Sequence, residues 1–271
     1  MSLFNVDGVN LYYEDRGRKD SENCIVFFNG AMSATQSWEL VYPIFEKLGW
    51  RVVLHDFKGQ LKSDKPQGPY SFQEHAAEAK ALFDHLQLGP VHVVGTSYGG
   101  RAAMEFAVLY PEMVKTLGLV NTFSESNAYI DTIVKSWETS RVAGNGESYF
   151  WHAAPIFYGK TFIANHGAEI EARAKKLGEA DAQFFAGSKA IYDTFTKDIY
   201  MTDRLPQIQA PALIICGEED ILTTVKFSEI LAAGIPQTEF MVIPDCGHVT
   251  IAEKPAELTS ALLGFVLKHT L

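Results

Sequence analysis

Val91-His92-Val93-Val94-Gly95-Thr96-Ser97-Tyr98-Gly99-Gly100 is the stretch that decides the reading of this chain. Its first half is a run of apolar strand formers. Its second half is G-x-S-x-G, and the pattern from Tyr98 to Tyr110 is helical until Pro111 stops it. A serine held on a tight strand-to-helix turn is lifted above the end of its strand, in strained dihedrals. Gly95 and Gly99 let such a turn close, and Gly100 leaves room for close helix packing. The amide that follows the serine, that of Tyr98, opens the helix, where partial positive charge favours an anion.

Working outward, short β-rich runs alternate with amphipathic helical runs. That alternation predicts an α/β fold with a mostly parallel sheet covered by helices. Leu3–Val6 and Asn10–Glu14 flank the hairpin dipeptide Asp7-Gly8. Further strands are expected at Cys24–Asn29, Arg51–Asp56, Val114–Val120, Ala212–Cys216 and Glu239–Ile243. Trp38, Val41, Phe45 and Leu48 stand at helical spacing before Gly49. Phe72, Ala76, Ala79, Phe83 and Leu86 mark a second helix, expected to end by Gly89-Pro90, and Leu258, Leu262, Phe265 and Val266 mark the last one.

The alternation disappears from about Ser124 to Gln209. Ile130, Ile133, Val134 and Trp137 form one helical stripe, Ile191, Tyr192 and Phe195 another, and Tyr149, Phe150, Trp151, Phe157, Phe184 and Phe185 lie between. The expected organisation is a core of residues 1–123 and 210–271 with a helical insertion over 124–209. Packing among themselves explains most of these aromatics. Aromatic rings also line apolar pockets, which favours an apolar acyl or aromatic substrate.

A serine hydroxyl needs a base, and the base needs orientation. For a nucleophile on a strand–turn–helix elbow the partners follow in the order acid, then histidine. Strand Ala212–Cys216 ends in Gly217-Glu218-Glu219-Asp220. Asp220 is preferred as the acid, three residues past the glycine, with Glu219 the alternative. Strand Glu239–Ile243 ends in Pro244-Asp245-Cys246-Gly247-His248. Of the eight histidines, His248 has the right order and context. His55 precedes the serine, His92 is inside a strand, His75, His85 and His269 lie in helical stretches, and His152 and His166 fall in the insertion. Asp245 reads as a turn former. Acyl transfer also needs donors for the developing oxyanion. The Tyr98 amide is one, and the Ala31 amide, in the turn Asn29-Gly30-Ala31-Met32, is the candidate for the second.

Composition narrows the partners. The 271 residues suffice for one large α/β domain, and 47% hydrophobic residues suffice for its core. A net charge of −10 with no dense Lys/Arg cluster repels phosphate backbones and anionic lipid, so neither nucleic acid nor membrane is an expected partner. The first fifteen residues lack a basic start followed by an apolar core. Three cysteines, Cys24, Cys216 and Cys246, without C-x-x-C spacing, read as reduced thiols rather than a disulfide framework or zinc site. A cytoplasmic location is the expectation.

Gly95–Gly100, Gly217–Asp220, Gly247-His248 and the Asn29-Gly30 turn together resemble the α/β-hydrolase superfamily, across nearly the full length of the chain. The likeness is to the esterase and enol-lactonase type with a helical cap. It implies an eight-stranded sheet, a cap formed by the insertion, and neither a metal nor an organic cofactor. Three departures stand out. The family usually has His-Gly at Asn29-Gly30. It has D-x-R-G-x-G-x-S where this chain reads Asp56-Phe57-Lys58-Gly59-Gln60-Leu61-Lys62-Ser63. A proline is common after the acid, where Asp220-Ile221-Leu222-Thr223-Thr224 stands here. The Asn-Gly-Ala-Met turn and the Asp-x-x-Thr-Thr run are similar to the acyltransferase that makes the lipid part of rhamnolipids.

The expected chemistry is hydrolysis of a small carboxylic ester or lactone by a serine enzyme. Acyl transfer from a thioester, carbon–carbon bond hydrolysis and a ligand receptor with negligible turnover are the competing readings, since fold alone does not fix function. Dehalogenase and epoxide hydrolase chemistry is disfavoured, because the hydrolase-fold enzymes that perform it place an aspartate where Ser97 stands.

Overall fold

A computed structural model describes residues 2–143 and 145–270. Eight strands, β1 (Ser2–Val6), β2 (Val9–Gly17), β3 (Cys24–Phe28), β4 (Arg51–His55), β5 (Val91–Thr96), β6 (Val114–Val120), β7 (Ala212–Gly217) and β8 (Thr238–Ile243), form one sheet in the order β1-β2-β4-β3-β5-β6-β7-β8. β1 and β2 pair antiparallel, as do β2 and β4, and the other neighbours are parallel. Every residue of β3, β5 and β7 is buried, as expected of parallel strands covered on both faces. The first hairpin turns at Asp7 and Gly8, both with positive φ (50° and 86°), the primed turn this dipeptide favours.

Alternate residues of β3 supply two cores. Val26 and Phe28 face one with α2 (Phe72–His85), α3 (Tyr98–Leu109) and α9 (Val225–Gly234). Ile25 and Phe27 face the other with α1 (Pro43–Lys47) and α11 (Pro255–Lys268). The helix expected through Trp38 and Leu48 is shorter than its apolar spacing suggested. Trp38 ends a 3-10 turn, and α1 starts afresh at Pro43, whose missing N–H suits only a first turn. Likewise α2 stops at His85, before Gly89, because Gln87 already takes the left-handed conformation (φ 54°).

Between β6 and β7 run α4 (Ala128–Ala143), α5 (Gly146–Phe157), α6 (Lys160–Asn165), α7 (Gly167–Gly178) and α8 (Ala182–Asp198). Asn145 and Asp181 cap α5 and α8, accepting from the amides of Ser148 (2.9 Å) and Phe184 (2.8 Å). The expected stripes are buried: Ile130, Ile133, Val134 and Trp137 on α4, and Ile191, Tyr192 and Phe195 on α8. The two ends of this helical segment meet. The Met201 amide donates to the Ser124 carbonyl at 2.7 Å, and the hydroxyls of Ser124 and Thr202 are 2.8 Å apart. The remaining helix, α10 (Thr250–Glu253), follows β8. Among the described residues no helix is long and apolar enough to cross a membrane.

Candidate active site

The strand order reverses direction between β3 and β5, since the chain leaves β3 for β4 on one side and returns to β5 on the other. Loops at the carboxyl ends of two such strands diverge and leave a crevice. Ser97 stands there, partly exposed, at the end of β5. Its backbone lies at φ 52° and ψ −118°, a left-handed-side conformation that L-residues seldom adopt. A Cβ on Gly95 would strike the Gly99 carbonyl, and one on Gly99 would strike the carbonyls of Phe28 and Asn29. The turn carrying Ala31 therefore lies directly against the elbow. Among the described residues neither the Ala31 nor the Tyr98 amide has a protein acceptor.

The three side chains singled out by chain order meet. Ser97 Oγ is 3.0 Å from His248 Nε2, and His248 Nδ1 is 2.8 Å from Asp220 Oδ2. With Nδ1–H donating to the carboxylate, Nε2 is left to accept the serine proton. Asp220 is deeply held. Its Oδ1 accepts from the amides of Leu222 (2.8 Å) and Thr223 (2.9 Å). Its Oδ2 also accepts from Asn121 Nδ2 (2.7 Å) and Thr223 Oγ1 (2.6 Å). Burial by itself would raise this carboxyl's pKa. His248 and the hydrogen bonds from His248, Asn121 and Thr223 outweigh it and hold the group below the usual carboxylate range.

Glu219, one residue earlier, points elsewhere. Its carboxylate accepts from the amide (3.0 Å) and hydroxyl (2.7 Å) of Thr161 at the start of α6, with Lys160 Nζ at 3.4 Å. Asp245 is exposed with φ 51°, the turn former expected.

Several supports were not legible beforehand. Asn121 follows β6 in a left-handed conformation (φ 46°) and bridges Asp220 to the Gly247 carbonyl (3.2 Å), while its own Oδ1 accepts from Thr250 Oγ1 (2.5 Å). An asparagine after a strand is a local signal for that backbone, but nothing local names its partners. Glu253 gathers the amides of Gly247 (2.8 Å), Gly159 (3.1 Å) and Val249 (3.2 Å), tying the His248 loop to the helical segment. The carbonyl of Phe157, at the end of α5, accepts from the amides of His248 (2.8 Å) and Val249 (3.2 Å). The departures from the family pattern form a network of their own. Asn29 Nδ2 donates to the His55 carbonyl, Asp56 and Gln60, Trp38 Nε1 donates to Asn29, and Gln60 Nε2 donates to the Gly30 carbonyl at 2.7 Å. Asn29 and Gln60 thus fix the turn that bears Ala31.

Behind the elbow the Tyr98 ring is fully buried, its hydroxyl 2.7 Å from His75 Nε2. Burial lowers the pKa of His75, so the ring is neutral and accepts from the phenol. All three cysteines are buried and free. Among the described residues no group of three His, Cys, Asp or Glu side chains is arranged to hold a metal.

The comparisons agree with this architecture. The model of the alpha/beta hydrolase fold matches residues 23–255. MGS-M2, an alpha/beta hydrolase enzyme from a Medee basin deep-sea metagenome library, is 29% identical with a TM-score of 0.93, over 98% of this chain and 97% of that one. Est816, described as an N-acyl homoserine lactone degrading enzyme, is 28% identical with a TM-score of 0.78, over 97% of this chain and 100% of that one. A protein of Azorhizobium caulinodans named "Putative carbamate hydrolase RutD" is 28% identical over 94% of each chain. The eight-stranded sheet, the serine elbow and a family match over most of the length converge on one conclusion: the chain is a hydrolase of the alpha/beta hydrolase family.

Proposed function

We propose that this hydrolase cleaves small carboxylic esters or lactones with an apolar acyl part, using Ser97 as nucleophile, His248 as base and Asp220 as orienting acid. The observation that carries the reading is the continuous hydrogen-bonded run from Ser97 Oγ through His248 to a carboxylate with no unpaired oxygen. His248 takes the serine proton as Oγ attacks the carbonyl carbon, and Asp220 stabilises the imidazolium. The amides of Tyr98 and Ala31 receive the oxyanion. His248 returns the proton to the leaving oxygen, and water then repeats the sequence on the acyl-enzyme. The segment 124–209 acts as the cap, and its aromatic side chains enclose the acyl part. The names of the relatives support the reaction class, since a carbamate and a lactone both offer a carbonyl to the nucleophile.

The test is a series of p-nitrophenyl esters from acetate to decanoate, with wild type and Ser97→Ala in parallel. The variant is expected to lose about 10⁶ in kcat while keeping its fold. Turnover retained by Ser97→Ala would overturn the reading, and the preferred chain length measures the space under the cap.

A further inference from the structure

We infer that the aromatic cluster of α4, α5 and α8 is a hydrogen-bonding subsite, selecting substrates whose acyl part carries a second, neutral oxygen acceptor beyond the reacting carbonyl. The inference rests on the ester and lactone reading above and names its substrate class. Trp137 is 3% exposed, yet among the described residues its Nε1–H has no acceptor. Leaving such a donor buried and unpaired is costly, and native interiors hold few of them. Its ring packs against Phe157 (4.8 Å between centroids) and Tyr192 (5.8 Å). The Tyr192 hydroxyl accepts from that of Tyr149 at 3.0 Å, and the Tyr149 oxygen lies 3.5 Å from Met32 Sδ. The two phenols thus bond to each other and to a thioether, and the indole N–H is the donor left over.

Both ends of the cluster reach the reacting centre. The Phe157 ring stacks on His248, 5.9 Å away at 29°, and Met32 adjoins Ala31. In the proposed binding mode the acyl chain of an ester on Ser97 runs along these rings. A plain alkyl chain leaves the indole N–H unpaired, whereas a ketone, ester, amide, ether or hydroxyl oxygen supplies the missing acceptor. A carboxylate fits poorly. The charged side chains nearby on α4, Arg141 and Glu138, are already paired at 2.9 Å, and a desolvated anion needs a counter-charge of its own.

The decisive measurement is binding to Ser97→Ala, where nothing turns over. Methyl hexanoate is compared with methyl 4-oxohexanoate and methyl 5-oxohexanoate by calorimetry, then again with Trp137→Phe added. Phenylalanine keeps an aromatic ring and deletes the donor. Tyr192→Phe is the second variant should Trp137→Phe fail to fold. One oxo ester is expected to bind at least about tenfold tighter than methyl hexanoate, and the donor-less variant to lose that advantage. Equal binding of all three esters, or an advantage that survives both variants, overturns the inference. Wild-type turnover of p-nitrophenyl hexanoate is followed alongside. Its absence with the oxo preference intact removes the hydrolysis reading and supports the subsite.

Discussion

Asp220 and Trp137 are both deeply buried near His248, the first bonded to it and the second one aromatic ring away through Phe157, and they are treated in opposite ways. Five donors converge on the carboxylate of Asp220, from His248, Asn121, the Thr223 hydroxyl and two amides. Among the described residues the indole N–H of Trp137 has no acceptor. The carboxylate of Asp220 is thus satisfied before any substrate arrives, which is what a preorganised charge needs. The helical segment keeps its donors in reserve, which is what a recognition surface needs. In the proposed hydrolysis, chemistry and selectivity are built from different parts of the chain, by different rules of hydrogen bonding.

The sharpest way to break this contrast is Asp220→Asn. The amide keeps the shape but misorients the imidazole, so kcat on the best p-nitrophenyl ester should fall about 10⁴-fold with the circular dichroism spectrum unchanged. A fall below about tenfold would mean that the converging donors serve folding alone. Next is Tyr98→Phe, which leaves His75 Nε2 buried without its partner. Urea unfolding should register a loss of about 1–3 kcal/mol, and an unchanged midpoint would show that the elbow does not depend on that bond.

Protonation gives a third, graded probe. Burial lowers the pKa of His55 to about 3 and that of His92 to about 4. The unfolded chain takes up these protons from about pH 6.5 downward, and the native chain does not. Stability therefore rises with pH through this window, and falls on acidification by up to about 1.4 kcal/mol per pH unit for each histidine. Urea midpoints that stay flat from pH 7 to pH 5 would contradict it. The smallest effect is expected from Glu219→Gln. It weakens the attachment of α6 by less than about 1 kcal/mol and leaves kcat within a few-fold. A loss comparable to that of Asp220→Asn would dissolve the distinction between the two neighbouring carboxylates.

Much of the carboxyl edge was legible in sequence, because it is written locally. Gly95, Ser97 and Gly99 sit between an apolar run and a helical one, and His248 is the histidine that closes a later strand at the right point in chain order. Between Glu219 and Asp220 the sequence favours Asp220 by its spacing from Gly217 but leaves Glu219 open. Both follow the same strand end, and only the fold shows that the first faces Thr161 and the second His248. Asn121, Glu253 and Phe157 act through partners distant in sequence, so no spacing rule reveals them. Pro43 and Gln87 show the local limit in the other direction. Apolar spacing runs across Pro43 and up to Leu86, but a missing N–H starts the first helix late and a left-handed residue ends the second before Gly89.

The bond between Met201 and Ser124 carries one more consequence. Because the helical segment leaves and re-enters the sheet at a single hydrogen-bonded point, β6 and β7 register neither its length nor its helix count. The entropy of closing a chain between fixed ends grows slowly, by about 0.6 kcal/mol for each doubling of its length. The junction is in that sense a socket: a segment of another length joined at Ser124 and Met201 leaves β6 and β7 in register, and what it must still supply is the carbonyl that Phe157 offers to the His248 loop.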